Sequence, residues 1–142
     1  MPEFVNTETG EVHLVAIAQR RLHTQPFVML FQDTTLDLLL NRGRTLTALE
    51  WRVLIYMLAT ATYVNNVEGY ICEIATELGH DRSSVSKALR VLEKLELIHR
   101  GLSIGNRPQP MQIDPNLAFR GTATQRGEML QHGWPPRSDT EH

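Results

Sequence analysis

The chain has 142 residues, 42% of them hydrophobic, enough for one sizeable core and, by length, for one domain with an appendage rather than two. Fourteen Lys and Arg stand against sixteen Asp and Glu, and the formal charge of −2 gives no global pull toward nucleic acid, so an anion-binding surface must come from where the charges sit. The single cysteine, Cys72, excludes an intramolecular disulfide and a cysteine-rich zinc site. Residues 1–19 carry Glu3, Glu8 and Glu11 without the basic-then-apolar order of a secretory signal, and no apolar run approaches membrane-spanning length, so a cytoplasmic chain with no membrane partner is expected.

In chain order, Phe4 to Asn6 and Val12 to Ala18 flank a turn-rich insert around Gly10, which predicts an N-terminal antiparallel hairpin. Phe27-Val28-Met29-Leu30-Phe31 reads as a short buried strand. Asp33 or Thr34 then offers a cap for a helix carrying Leu36, Leu39 and Leu40, with Gly43 at its end. Thr47-Ala48-Leu49-Glu50 fits a capping box, in which hydroxyl and carboxylate each satisfy an orphan backbone donor, and a helix to about Thr60 follows. Its apolar set, Leu49, Val53, Leu54, Met57 and Leu58, is widened by Trp51 and Ile55 beyond one stripe. That surplus predicts cover on two sides, by the hairpin and the following helices or by a second copy of the chain.

Tyr63 to Gly69 reads as a loop. Glu73 to Leu78 is a short helix stopped by Gly79, and Asp81 caps the next helix after a turn of Gly79 and His80, which is the helix-turn-helix pattern. Leu97 and Ile98 open a strand, Gly101 to Pro110 is a loop, and Met111-Gln112-Ile113 returns as a second strand, together a wing. After Pro115 the periodic signal fades, and Gly133 to His142 reads as a disordered tail.

On a helical wheel of Arg82 to Glu96, Val85, Ala88, Leu89, Leu92 and Leu95 gather on one side. Ser83, Lys87, Arg90 and Lys94 lie opposite, with no acidic residue in the row. From Arg82 through Arg107 six cationic residues face two glutamates, so a positive segment is embedded in an acidic chain. A major groove admits one helix, Arg and Lys reach guanine O6 and N7, and short serines allow close approach. Ser83, Ser84, Ser86, Lys87 and Arg90 are therefore the candidate base-edge readers, and Arg82, Lys94, Arg100 and Arg107 the candidate phosphate contacts. Free backbone N–H groups at the helix start favour phosphate near Arg82 and Ser83, and Gly105-Asn106-Arg107-Pro108 would project Arg107 from the wing.

Glu73-Ile74-Ala75-Thr76-Glu77-Leu78-Gly79-His80-Asp81-Arg82-Ser83-Ser84-Val85-Ser86 resembles the winged helix-turn-helix of MarR-like regulators and plasmid replication initiators. With Thr7-Glu8-Thr9-Gly10-Glu11-Val12, Phe27 to Asp33 and Asp114-Pro115-Asn116-Leu117-Ala118-Phe119-Arg120-Gly121, the order is similar to the RepL-type plasmid replication family across Phe4 to Gly121. That resemblance implies sequence-specific binding of double-stranded DNA at a plasmid origin and recruitment of host replication proteins. Two positions depart from the pattern. His80 stands where an apolar plug is usual and is expected half-buried in the turn as a packing or hydrogen-bonding residue rather than a pH switch, and no Ser or Thr caps the helix at Glu73.

The expected fold is thus α+β: a winged helix-turn-helix with an N-terminal hairpin and a helix-rich core, divided as 1–45, 46–121 and a partly disordered 122–142. A homodimer reading two half-sites is expected from the wide apolar surface of Thr47 to Thr60. No nucleophile elbow, phosphate loop or His-Glu-x-x-His motif is present, so no enzyme is expected. Cys72, His80 and His99 fall on separate elements, so neither metal nor cofactor is expected. Two rivals share the same pattern: a MarR-like transcriptional repressor with the same DNA face, and a winged helix that binds only protein.

Overall fold

The computed structural model describes residues 26–102 and 109–136; the expected hairpin over Phe4 to Ala18 lies outside them. The chain is α+β. Strand β1 (Met29–Leu30) leads into helix α1 (Gln32–Asp37), which continues through a π-helical turn at Leu38–Arg42. Helix α2 (Ala48–Thr60), strand β2 (Asn66–Val67), helix α3 (Ile71–Leu78) and helix α4 (Arg82–Lys94) follow. Strands β3 (Ile98–Arg100), β4 (Met111–Ile113) and β5 (Ala118–Phe119) and helix α5 (Ala123–Gln131) complete the order.

Two small antiparallel sheets frame the helices. One pairs β1 with β5; the other has the order β2-β4-β3, with Ile98 opposite Ile113, Arg100 opposite Met111 and Val67 opposite Met111. Both sheets are tied to the loop after α2 by Asn65, which is 1% exposed and sits at φ 61, a left-handed conformation that asparagine tolerates better than most residues. Its amide donates to the carbonyls of Ile113 (2.9 Å) and Ala118 (2.7 Å), and its carbonyl accepts from the Arg120 N–H at 2.9 Å. The bonds to the two carbonyls are buried, so losing this donor is costly, and the side chain links β4 and β5 to the loop after α2.

One core runs through α1 to β5. Leu38, Leu54, Met57, Leu89, Leu97 and Phe119 are each at most 3% exposed. Leu38, in the turn after α1, belongs to this core, and β1 is joined to the rest through its pairing with β5.

The expected buried strand over Phe27 to Phe31 is corrected on two counts. Only Met29–Leu30 pairs, and these side chains are 43% and 52% exposed; among the described residues β1 pairs with β5 alone. The helix that follows is capped at Phe31, not at Asp33 or Thr34, and Leu38 is its core residue rather than Leu36, Leu39 or Leu40. Gly43 does close this segment. A Cβ there would come within 2.6 Å of the Leu38 carbonyl, so the close approach requires glycine.

The capping box at Thr47 is formed, with Glu50 N–H to Thr47 Oγ1 at 3.2 Å and Thr47 N–H to the Glu50 carboxylate at 2.8 Å. The apolar surplus of α2 is mostly absorbed within the chain: Leu49, Trp51 and Leu58 are half-buried and Ile55 alone among its large apolar side chains remains 56% exposed. Helix α3 begins at Ile71, two residues before the expected start, because the Glu73 carboxylate reaches back to the Tyr70 N–H (2.9 Å) and supplies the missing cap. It ends at Gly79 (φ 76), where the His80 N–H bonds to the Ala75 carbonyl at 2.9 Å. His80 is exposed, not half-buried: this turn is closed by backbone bonds and leaves the side chain nothing to plug. Strand β5 and helix α5 lie after Pro115, where the periodic signal in the sequence fades; of the tail expected from Gly133, residues 137–142 lie outside the described residues. Among the described residues no helix is long and apolar enough to cross a membrane.

Leu89, fully buried, should lose about 2–5 kcal/mol of folding stability on Leu89→Ala, read from chemical denaturation. Glu96, at φ 61 just beyond α4, pays the left-handed penalty of a side chain, so Glu96→Gly is expected to raise stability by about 1 kcal/mol; a fall would show that its side chain contributes more than the strain.

Candidate nucleic-acid interface

The position of α4 is set by its buried side. Val85, Leu89 and Leu92 are fully buried and Ala88 is 2% exposed. With that face sealed, helical spacing turns Ser83, Lys87, Arg90 and Lys94 outward, and all four are exposed, as is Arg82 at the helix start. Leu95, grouped with the buried face in the sequence, is only half-buried because α4 ends at Lys94 and Leu95 is its C-cap. The Arg42 guanidinium donates to the Leu95 carbonyl and closes this end of the helix from the α1 segment.

Arg82, Lys87, Arg90 and Lys94 have no ion-pair partner among the described residues. Arg100 differs. Its guanidinium meets the Glu93 carboxylate at 3.1 Å, and its own backbone N–H donates to the same carboxylate at 3.2 Å, so this expected phosphate contact is engaged inside the chain. No spacing rule announced the pair, since it bridges the end of α4 and the following strand. Arg107 and the wing tip lie outside the described residues. The strands that would carry the wing, β3 and β4, pair in antiparallel register as expected.

At the N-terminal end the serines are committed to Asp81. Ser83 Oγ donates to one carboxylate oxygen at 2.8 Å and Ser84 Oγ to the other at 2.6 Å, while Asp81 makes no side-chain cap bond to the helix backbone. These bonds, Ser84 first, hold the Asp81 carboxyl down to about 2 from an ordinary 3.8. The Asp81 carboxylate thus puts a negative charge at the N-cap, next to the helix start where a phosphate is expected near Arg82 and Ser83. The signal was legible: an Asp cap followed two and three residues later by serines is a local side-chain motif. Ser86 is half-buried at the edge of the row.

At the other end the row meets a cleft in which Lys94 and Arg42 face Asp33, Asp37, Glu96 and Asp114. Asp114 is 4% exposed, and burial pushes its carboxyl up from the ordinary value, opposed by bonds from Asn116 and by the Arg42 charge. Lys94 thus stands beside these carboxylates, in a cleft that Lys87 and Arg90 do not line. Among the described residues no group of three or more His, Cys, Asp or Glu side chains is placed to hold a metal ion.

No family model matches the chain, and no similar curated protein or solved structure was found.

Because the folded carboxyl of Asp81 titrates below its unfolded value, its bonds contribute stability above about pH 4, and that contribution fades as pH falls toward 2. The melting-temperature gap between the chain and Asp81→Asn should stay level near neutrality and narrow over that acid window. A gap unchanged down to pH 2 would show that the ionised carboxylate does not stabilise the turn.

Proposed function

We propose that this chain is a sequence-specific binder of double-stranded DNA, a winged helix-turn-helix protein that acts in the cytoplasm as a plasmid replication initiator. The observation that carries the DNA reading is the exposed row Ser83, Lys87, Arg90 and Lys94, free of acidic residues, on a helix whose opposite face is sealed in the core. A tight turn of Gly79 to Asp81 before that helix and the β3–β4 hairpin after it support the same reading, as does the sheet order β2-β4-β3.

In this reading α4 enters a major groove. Lys87 and Arg90 meet guanine O6 and N7. Ser83 and Ser84 direct their hydroxyl protons to Asp81, so toward a base they present lone pairs and accept from amino groups. Ser86 borders the contact. Arg82 and Lys94 take phosphates on either side, and Arg107 takes one from the wing. Arg100 reaches phosphate only by exchanging its bond to Glu93. The initiator role and its host replication partners rest on the resemblance to RepL-type proteins, carried by Glu73 to Ser86 in combination with Thr7 to Val12, Phe27 to Asp33 and Asp114 to Gly121.

Selection of bound duplexes from a random pool, followed by anisotropy titrations over a salt series, tests the proposal. Arg90→Ala should cost about 1–3 kcal/mol on the selected site and flatten its base preference, whereas Arg82→Ala should weaken all sequences alike and lower the salt slope by about one. Equal loss on every sequence for Arg90→Ala would remove its base-reading role. A selected motif that maps to promoters instead of an origin would make the chain a transcriptional regulator.

A further inference from the structure

We propose that the leucine face of the α1 segment is a two-fold interface with a second copy of this chain. Helix α1 and the π-helical turn after it form one continuous segment, on which Leu36, Leu39 and Leu40 are 55%, 56% and 59% exposed. Their spacing of three and four places them on one side, while Leu38 points the other way into the core at 3% exposure. Three leucines side by side form a contiguous apolar patch rather than scattered surface residues.

The charges at its ends select the occupant. Asp33, which also lines the cleft shared with Arg42 and Lys94, stands in the first turn of α1, and Arg44 lies in the turn just past Gly43 beyond the other end; both are exposed, and neither makes a side-chain hydrogen bond or ion pair among the described residues. A patch that is apolar in the middle, acidic at one end and basic at the other is its own complement when rotated by half a turn, as an isologous interface requires. The midpoint between Asp33 and Arg44 falls within the leucine stripe. An antiparallel pairing about that point sets leucine on leucine and brings Asp33 beside Arg44 of the partner subunit at both ends. The surface differs from the one expected on α2, whose apolar surplus packs within the chain except at Ile55. It does not depend on the DNA reading.

Light scattering on the full chain across a concentration series reads the mass directly. We expect a dimer that Leu39→Glu converts to a monomer with unchanged circular dichroism, the position being solvent-exposed within each copy. Asp33→Arg and Arg44→Asp should each raise the dimer dissociation constant about tenfold, and the double variant should return it to within about threefold of the starting value. A monomeric parent chain would overturn the proposal, including the case in which Leu39→Glu lowers the melting temperature without changing mass, which would place the chain's own residues 1–25 over the stripe. A dimer that survives Leu39→Glu, or a double variant no better than the single ones, would also overturn it.

Discussion

The outward row of α4 depends on the packing of the helix's opposite side. Val85, Ala88, Leu89 and Leu92 are at most 2% exposed, and a helix with a face so completely committed has no rotational freedom about its own axis. Everything opposite that face is thereby directed outward, whatever its chemistry. The Arg42 bond at the Leu95 carbonyl and the Gly79 turn fix the two ends, so the outward row is held on a rigid element rather than on a loop. Rigidity of this kind matters for base reading, where side chains must meet hydrogen-bonding edges at fixed positions.

Charge placement adds a second constraint. In a chain of net charge −2, both lysines, Lys87 and Lys94, fall on this single row. The acidic groups near it are arranged at its borders: Asp81 before the helix, engaged with two serines, and the cleft of Asp33, Asp37, Glu96 and Asp114 beyond its end. Lys87 and Arg90 thus stand between these two acidic borders. A surface so bounded favours one register of an anionic partner over sliding along the helix, at some cost in non-specific attraction.

Much of this was legible in the sequence because it depends on local chemistry. Helical spacing gave both faces of α4, Thr47 and Glu50 gave the start of α2, and Gly79 gave the turn. The failures share a cause, which is tertiary pairing between residues far apart. Strand β2 is two residues long and exists because Asn66 and Val67 find β4 more than forty residues later. Asn65 looked like a loop residue, and only its bonds to Ile113, Ala118 and Arg120 make it a structural tie. The Arg100–Glu93 ion pair has no local signature either, because it depends on how β3 leaves the helix. Helix α5 is a different case: Thr122 and Gln125 do form a capping box, but with no buried residue in the helix there was no apolar period to draw the eye to it.

The two lysines allow a direct test of which surface meets a duplex. Amine-reactive footprinting of the full chain, with and without saturating duplex DNA, reports on the middle of α4 at Lys87 and on its far end at Lys94. The account predicts strong protection of Lys87 and weaker protection of Lys94. Equal labelling of Lys87 in the presence and absence of bound duplex would mean that DNA, if bound, sits elsewhere, and would contradict the assignment of this face.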